Sequence, residues 1–293
     1  MSTKLTVIIV NWNTGKLLKE CLLSLAALPE KDCMAEVIIV DNNSRDTSVT
    51  QAREVQVGVP TTFIHLPQNT GFAAANNMAI RQRRDPTSHV LLLNPDTVVK
   101  PGALMAGLEE LDRHATTGVV GVRLINPDGS TQASVRSLPT LPVFLFIFLK
   151  LHRLRQQLME PAFDYEKRSE VGQVMGAAFF IHRMLLEKIG LLDEKFWIWF
   201  EEVDFCRRAH EAGYRVIYTP TGSVMHYRGS SFHQLVGLRK SLPLLRSALW
   251  YVHKHMGFLA WLLCLVLWPV AVVLSIPASV MHAVERVQNT SRL

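Results

Sequence analysis

Three carboxylates stand against five aromatic residues in one short stretch, Phe196-Trp197-Ile198-Trp199-Phe200-Glu201-Glu202-Val203-Asp204-Phe205. Apolar surroundings and like-charge neighbours both raise a carboxyl pKa, which suits a general base working near neutral pH. The same acids would suit the first turn of a helix, where the macrodipole favours negative charge. Both readings hold if Glu201 or Asp204 caps the helix while Glu202 faces a site. A second polar set follows apolar runs directly. Asn11 and Asn13 come after LTVIIV, Asp41, Asn42, Asn43 and Ser44 after VIIV, and Asn94 and Asp96 after VLLL. One such Asp is ordinarily a turn former or cap, but repetition after successive runs points to a ligand site. Asp96 offers a hard carboxylate oxygen, fit for Mg²⁺ or Mn²⁺ shared with substrate phosphates. His226 follows a strand-like run and precedes Arg228-Gly229-Ser230-Ser231, a setting for a metal or phosphate contact.

The elements that must carry these residues alternate. Leu5–Val10, Val37–Val40, Thr62–Leu66, Val90–Leu93 and Val119–Leu124 read as strands. Lys16–Leu28, Gly71–Arg81 and Pro101–Asp112 read as the helices between them, the last opened by a proline. Strands separated by single helices predict βαβ units and an α/β, Rossmann-like, mostly parallel sheet flanked by helices. In such sheets a ligand lies beyond the carboxyl ends of the strands, where the polar residues collect. No glycine pattern fits a dinucleotide or P-loop fingerprint, which disfavours a dehydrogenase or a P-loop kinase.

The 293 residues carry 31 Lys+Arg against 25 Asp+Glu, a formal charge of +6, with 48% apolar residues. That balance excludes a disordered chain. No nucleic-acid-binding motif accompanies the basic excess. The four cysteines share no CxxC spacing, so neither a disulfide framework nor a zinc knuckle is expected. The cations gather instead beside apolar stretches. Gly257–Met281 is uncharged and long enough to span or embed in a bilayer, with a re-entrant hairpin broken at Pro269 as the alternative. Lys/Arg before this run outnumber those after it, which sets the bulk of the chain on the cytoplasmic side. Leu141–Leu149 followed by KLHRLRQQL reads either as an interfacial element or as a core helix with a basic turn.

The blocks TVIIVNWNTGKLLKECLLSL, VIIVDNNSRD, NTGFAAANN, LLLNPDTVV, MGAAFFIHR, LLDEKFWIWFEEVDFCRRA and HYRGSS, in that order, span about residues 5–231. With them the chain resembles the family-2 inverting glycosyltransferases of the GT-A fold, and within these the bacterial rhamnosyltransferase-like branch of cell-surface polysaccharide synthesis. The resemblance implies a GT-A domain over 1–235, with a nucleotide-sugar half (about 1–125) and an acceptor half (about 126–235). A membrane-associated helical segment over 236–293 completes the expected organisation. Asn11, Asn13 and Asp41 would hold the nucleobase and ribose, and Asn69, Gly71 and Asn76 would line the nucleotide pocket. Asn94 and Asp96 occupy the family's DxD position, Asp96 as the metal-binding carboxylate, with His226 joining the divalent cation and diphosphate and Arg228 helping to hold the phosphates. Gly176, Ala177 and Ala178 match the acceptor-side turn, beside Glu201. The base position, usually Asp, is Glu202 here, and Asp204 is the second candidate. The implied partners are a dTDP- or UDP-linked sugar, rhamnose being the leading one, a lipid-linked glycan acceptor and the cytoplasmic face of a bacterial inner membrane. A nucleotidyltransferase on a similar sheet fits the EEVDF and HYRGSS blocks less well. The departure at Glu202 also leaves room for a non-catalytic, membrane-tethered nucleotide-sugar or glycan-binding protein.

Overall fold

The computed structural model describes residues 4–160, 162–227 and 237–276. The first half is βαβ as the apolar runs require. Strands β1 (Leu5–Asn11), β2 (Met34–Asp41), β3 (Thr61–His65) and β4 (His89–Leu93) alternate with helices α1 (Leu17–Ala26), α2 (Ser48–Ala52) and α3 (Phe72–Gln82). Every residue of β1 and β4 is buried, as expected of strands covered on both faces. The strands β5 (Thr97–Val99) and β6 (Thr117–Ile125) flank helix α4 (Ala103–Arg113). Then come β7 (Val135–Arg136), helices α5 (Leu141–Phe148) and α6 (His152–Met159), and strands β8 (Ser169–Glu170), β9 (Gln173–Val174) and β10 (Ala178–Ile181). Helices α7 (Arg183–Ile189) and α8 (Glu201–Glu211) lead to the long strand β11 (Arg215–His226), and α9 (Leu238–His255) and α10 (Phe258–Val273) close the described chain.

The main sheet has nine strands, in the order β3-β2-β1-β4-β10-β6-β11-β5, with β8 paired to β11. It is mixed, which corrects the expectation of a mostly parallel sheet. β1 pairs in parallel with β2 and β4, β2 with β3, and β6 with β11. β10 runs antiparallel between β4 and β6, and β5 and β8 run antiparallel to β11. The reversal matters for function, because β10 inserts beside β4 and brings residues 175–177 next to the Asn94-Pro95-Asp96 turn: Asn94 N–H donates to the Ala177 carbonyl at 2.9 Å.

Two apolar clusters sandwich the sheet, one under α1 and α4, the other under α3, α7 and α8. A third joins Phe144 and Phe148 of α5 and Phe196, Phe200 and Val203 to Leu245, Tyr251 and Val252 of α9 and Cys264 of α10. The C-terminal helices are therefore packed against the stretch that leads into α8. Helix α10 runs unbroken through Pro269, so the hairpin alternative does not occur. At 16 residues and about 1.5 Å per residue, α10 falls short of the roughly 30 Å of a hydrocarbon core. No helix among the described residues is long and apolar enough to cross a membrane. The four cysteines are free, and burial pushes the Cys21 thiol up to about 12.

Candidate active site

The strand ends and the start of α8 enclose a cleft of about 300 Å³. Asn69, Gly71, Asn94, Asp96, Gly176, Ala177, Glu201, Glu202 and His226 all line it, so most of the residues singled out in the sequence meet there. The β5–β11 pairing makes one of these meetings. Thr97 stands opposite His226 in register, which sets the preceding Asp96 beside the imidazole. Asp96 is 5% and His226 4% exposed, and His226 Nε2 lies 3.4 Å from Asp96 Oδ1.

The tautomer of His226 follows from its other nitrogen. Nδ1 is 2.8 Å from Gln132 Oε1, and the Gln132 amide group donates to Asn126 Oδ1 at 2.8 Å, which fixes which way that side chain points. An amide oxygen only accepts, so Nδ1 carries a proton, and the neutral ring would present its lone pair at Nε2. Nε2 has no hydrogen-bond partner. A buried lone pair facing a buried carboxylate calls for a cation or a proton between them. An imidazole nitrogen and a carboxylate oxygen, with a second-shell amide orienting the ring, suit a divalent cation whose other positions are filled by substrate oxygens. Among the described residues no group of three or more His, Cys, Asp or Glu side chains could hold a metal unaided.

Across the cleft, α8 begins from two consecutive left-handed residues, Trp199 at φ 62° and Phe200 at φ 70°. Bulky aromatic residues resist this conformation, and such strain gathers at functional sites. Here it turns the chain sharply, so that Glu201 and Glu202 sit on the first turn of α8 with one carboxyl oxygen of each buried and without a partner. Glu201 is held well above the ordinary carboxylate range, first by burial and next by the charge of Glu202. Burial also raises Glu202, opposed by backbone N–H groups and by the Arg136 guanidinium on the same cleft wall. Neighbouring buried carboxyls do not both ionise readily, and the Arg136 charge makes Glu202 the one that ionises first.

Asp204 points elsewhere. It is 0% exposed and its carboxylate is taken up by Arg208 Nε at 2.8 Å, Lys254 Nζ at 2.7 Å and His255 Nε2 at 2.7 Å. Burial alone would raise it, but the His255 hydrogen bond and the Arg208 and Lys254 charges hold it down at about 2. Asp204 ties α8 to α9 rather than facing the cleft. Asn11 is also structural in its contacts: fully buried, its amide donates to Asp41 Oδ1, Ser44 Oγ and Ser48 Oγ at 2.9–3.0 Å, bolting β1 to β2 and α2. Asp41 adds a 2.7 Å contact to His65 Nδ1, and Asn13 Oδ1 accepts from Arg45 N at 2.7 Å. Asn76 folds back to donate to the Phe72 carbonyl at 2.9 Å, and Ala178 lies within β10. None of these five lines the cleft. Arg228 lies outside the described residues.

The residues that sequence reasoning missed are the walls. Trp12, Phe72, Met175, Trp197, Ile198 and Trp199 give the cleft apolar sides, and Asn42 bridges them by donating to Asn69 Oδ1 and the Gly71 carbonyl, both at 3.1 Å. Asn42 belongs to the strand-end polar set that the sequence singles out; Arg136 carries no local signal. Gly71 (φ +88°) lets α3 start against this wall: Phe72 N–H donates to the Trp197 carbonyl at 2.8 Å. A methyl group on Gly71 would overlap that carbonyl and lie 2.6 Å from the indole Cδ1. Gly71→Ala is expected to cost about 3 kcal/mol, from left-handed strain plus overpacking, and to weaken donor binding; thermal melts and nucleotide titration check both.

Known proteins resemble this chain in sequence and in fold. The family model described as Glycosyl transferase family 2 matches residues 6–190. N-acetylglucosaminyl-diphospho-decaprenol L-rhamnosyltransferase of Mycobacterium tuberculosis is 26% identical over 254 residues, 79% of this chain and 78% of that protein. Among solved structures, GalNAc-T7 with UDP, GalNAc and Mn²⁺ superposes with a TM-score of 0.60 at 16% identity, over 76% of this chain and 44% of that one. The mannosyltransferase PcManGT from Pyrobaculum calidifontis, in complex with GDP-Man and Mn²⁺, gives 0.57 at 17% identity, over 97% of this chain and 76% of that one. These structures share the α/β, GT-A-like fold. The match spans well over half of the sequence, and the chain belongs to glycosyltransferase family 2.

Proposed function

We propose that the protein is an inverting glycosyltransferase that moves a sugar, rhamnose in the leading case, from a nucleoside-diphosphate-sugar to a lipid-linked glycan acceptor in cell-surface polysaccharide synthesis. The observation that carries this reading is the opposition, across one cleft, of the Asp96–His226 pair and Glu202, whose buried Oε2 has no partner and whose pKa burial raises. The first is suited to a charged leaving group, the second to an acceptor hydroxyl. The Mycobacterium relative, named for L-rhamnosyl transfer to a diphospho-decaprenol-linked sugar, supports the choice of donor and acceptor class.

Asn42 after β2, and Asn69 and Gly71 in the turn that opens α3, supply polar groups for the nucleotide, with Trp12 and Trp197 as flat apolar walls. Ionised Glu202 accepts the proton of the acceptor hydroxyl while that oxygen attacks C1 of the sugar. The C1–O bond to the diphosphate breaks in the same step, the electron pair leaves with the nucleoside diphosphate, and the anomeric configuration inverts. Burial and the charge of Glu202 both oppose ionisation of Glu201, which limits competition for the proton. Asp96 and His226 would hold a divalent cation, Mg²⁺ or Mn²⁺, which when bound supplies a Lewis acid that offsets charge on the departing diphosphate. The aromatic walls exclude water from the cleft and so limit hydrolysis of the donor.

The membrane enters through exposed apolar surface. Phe258, Leu259, Val266 and Val273 of α10 are each more than 60% exposed, and α6 presents Leu154 and Leu158 beside Arg153. A large apolar face bordered by cations suits docking in the plane of an anionic leaflet, such as the cytoplasmic face of a bacterial inner membrane. The deciding experiment is nucleoside diphosphate release by detergent-purified protein across a panel of nucleotide-sugars, with Mg²⁺ or Mn²⁺ and membrane lipid extract. Release from one donor, lost with EDTA, is expected. Nucleotide binding without release, even with extract from the native cells, would sink the transferase reading. Asp96→Ala is expected to weaken metal-dependent donor binding by at least about 100-fold, read by titration with and without EDTA; unchanged binding would remove Asp96 from the metal site.

A further inference from the structure

Arg136 is the cation on the cleft wall, and the reading above leaves it without a ligand. Its buried Nε has no hydrogen-bond partner, and its ion pair with Glu160 is loose, at 3.4 Å. Glu160 is also engaged by Gln156 Nε2 at 2.9 Å. Arg136 does not stand alone. The end of α6 abuts β7 through Ser137 N–H, which donates to the Met159 carbonyl at 3.0 Å, and half-buried Arg155 lies one turn back along that helix. No hydrogen bond or ion pair is made by the Arg155 guanidinium among the described residues. Burial and the charge of Arg136 both depress Arg155, and burial and the charge of Arg155 both depress Lys150. Arg136 and Arg155 thus repel one another with Glu160 as their nearby carboxylate, and the helix that carries Arg155 exposes Leu154 and Leu158. Such an arrangement is costly unless an anion neutralises it.

We infer that Arg136 and Arg155 form a subsite for the diphosphate of a polyprenyl-linked acceptor, with the lipid chain leaving across the apolar surface of α6. The inference rests on the lipid-linked acceptor proposed above. It assigns to one short segment, residues 136–160, a group that no carboxylate-lined wall of the cleft could take. Guanidinium groups match diphosphate oxygens through paired N–H donors, and an apolar strip beside them gives the same molecule somewhere to lay its tail.

The test reads binding rather than turnover, so it stands apart from the question of activity. A short-chain prenyl diphosphate in detergent is titrated into the full chain and into Arg136→Gln, Arg155→Gln and Arg136→Lys, alongside the matching prenyl alcohol and a nucleoside diphosphate. Loss of one charge-assisted contact is expected to weaken the prenyl diphosphate by about tenfold or more in each Gln variant. Lys at 136 should restore part of it, and the alcohol and the nucleoside diphosphate should bind as before. Thermal melts confirm that each variant is folded. Unchanged prenyl diphosphate affinity in folded variants overturns the inference. So does a loss confined to the nucleoside diphosphate, which would give the arginines to the donor.

Discussion

Glu202→Gln is expected to lower kcat between about 10²- and 10⁴-fold, the range of general-base contributions, while donor affinity stays within a factor of a few. The amide is nearly isosteric with a neutral carboxyl, so the walls formed by Gly176 and Trp199 keep their shape. Gly176 is close, since a Cβ there would sit 3.7 Å from the Glu202 side chain. The pH dependence gives an independent reading. A base works ionised, and burial raises Glu202 above the ordinary carboxylate range, so transfer should rise with pH through that raised pKa. Losing the Arg136 charge would move the rise to still higher pH. Transfer by Glu202→Gln at the parent rate would exclude Glu202 as the base.

Asp204→Ala is expected to act on stability first. It removes one carboxylate and leaves buried His255 Nε2 and the Nε of Arg208 without their acceptor, while Lys254 keeps Asp193 and Arg208 keeps the Ile189 and Leu191 carbonyls. Breaking a buried ion pair from one side costs about 3–5 kcal/mol, on the order of 10 °C in Tm for a chain of this size. The sign of the pH effect is fixed by the direction of the shift. The folded-state pKa lies below the unfolded one, at about 2 against 3.8. Stability from Asp204 is therefore complete above the unfolded value and disappears as pH falls through the folded one. At about 1.4 kcal/mol per pKa unit this amounts to about 2 kcal/mol. The variant should lose that acid-limb dependence in thermal melts. Held well below its melting temperature, it should keep transfer activity that Glu202→Gln lacks. Loss of chemistry in a folded Asp204→Ala would return Asp204 to the base assignment.

The sequence made the first half of the fold legible because buried parallel strands are continuous apolar runs, and the helices between them have regular spacing. β1, β2 and β4 lie where those runs predict. The antiparallel insertion of β10 was not legible: AFFI is as apolar as its parallel neighbours, and nothing local records which way a strand runs. The site was legible where chemistry marks a residue type, as at Asp96, Glu202 and His226. It was less legible where polar residues at strand ends turned inward. Asn11 and Asp41 share the pattern of ligand-binding residues, yet they satisfy one another. Asp204 looked interchangeable with Glu202 because the two stand two positions apart. On a helix that separation points them to different faces, and besides Arg208 the partners of Asp204, Lys254 and His255, come from α9, about fifty positions later. Arg136 owes its place to the two-strand pairing of β7 with β9, a contact too short to leave a periodic signature.

The distribution of tryptophan gives the molecule two optical reporters. Of its six indoles, Trp12, Trp197 and Trp199 line the cleft, and Trp250, Trp261 and Trp268 belong to α9 and α10. Ultraviolet emission therefore divides into a nucleotide-facing population and a C-terminal one. A quencher that enters the cleft dims the first, while transfer of the second from water into hydrocarbon shifts its emission to the blue. With Phe replacing either group, donor occupancy and lipid contact become separable colours in one unlabelled sample.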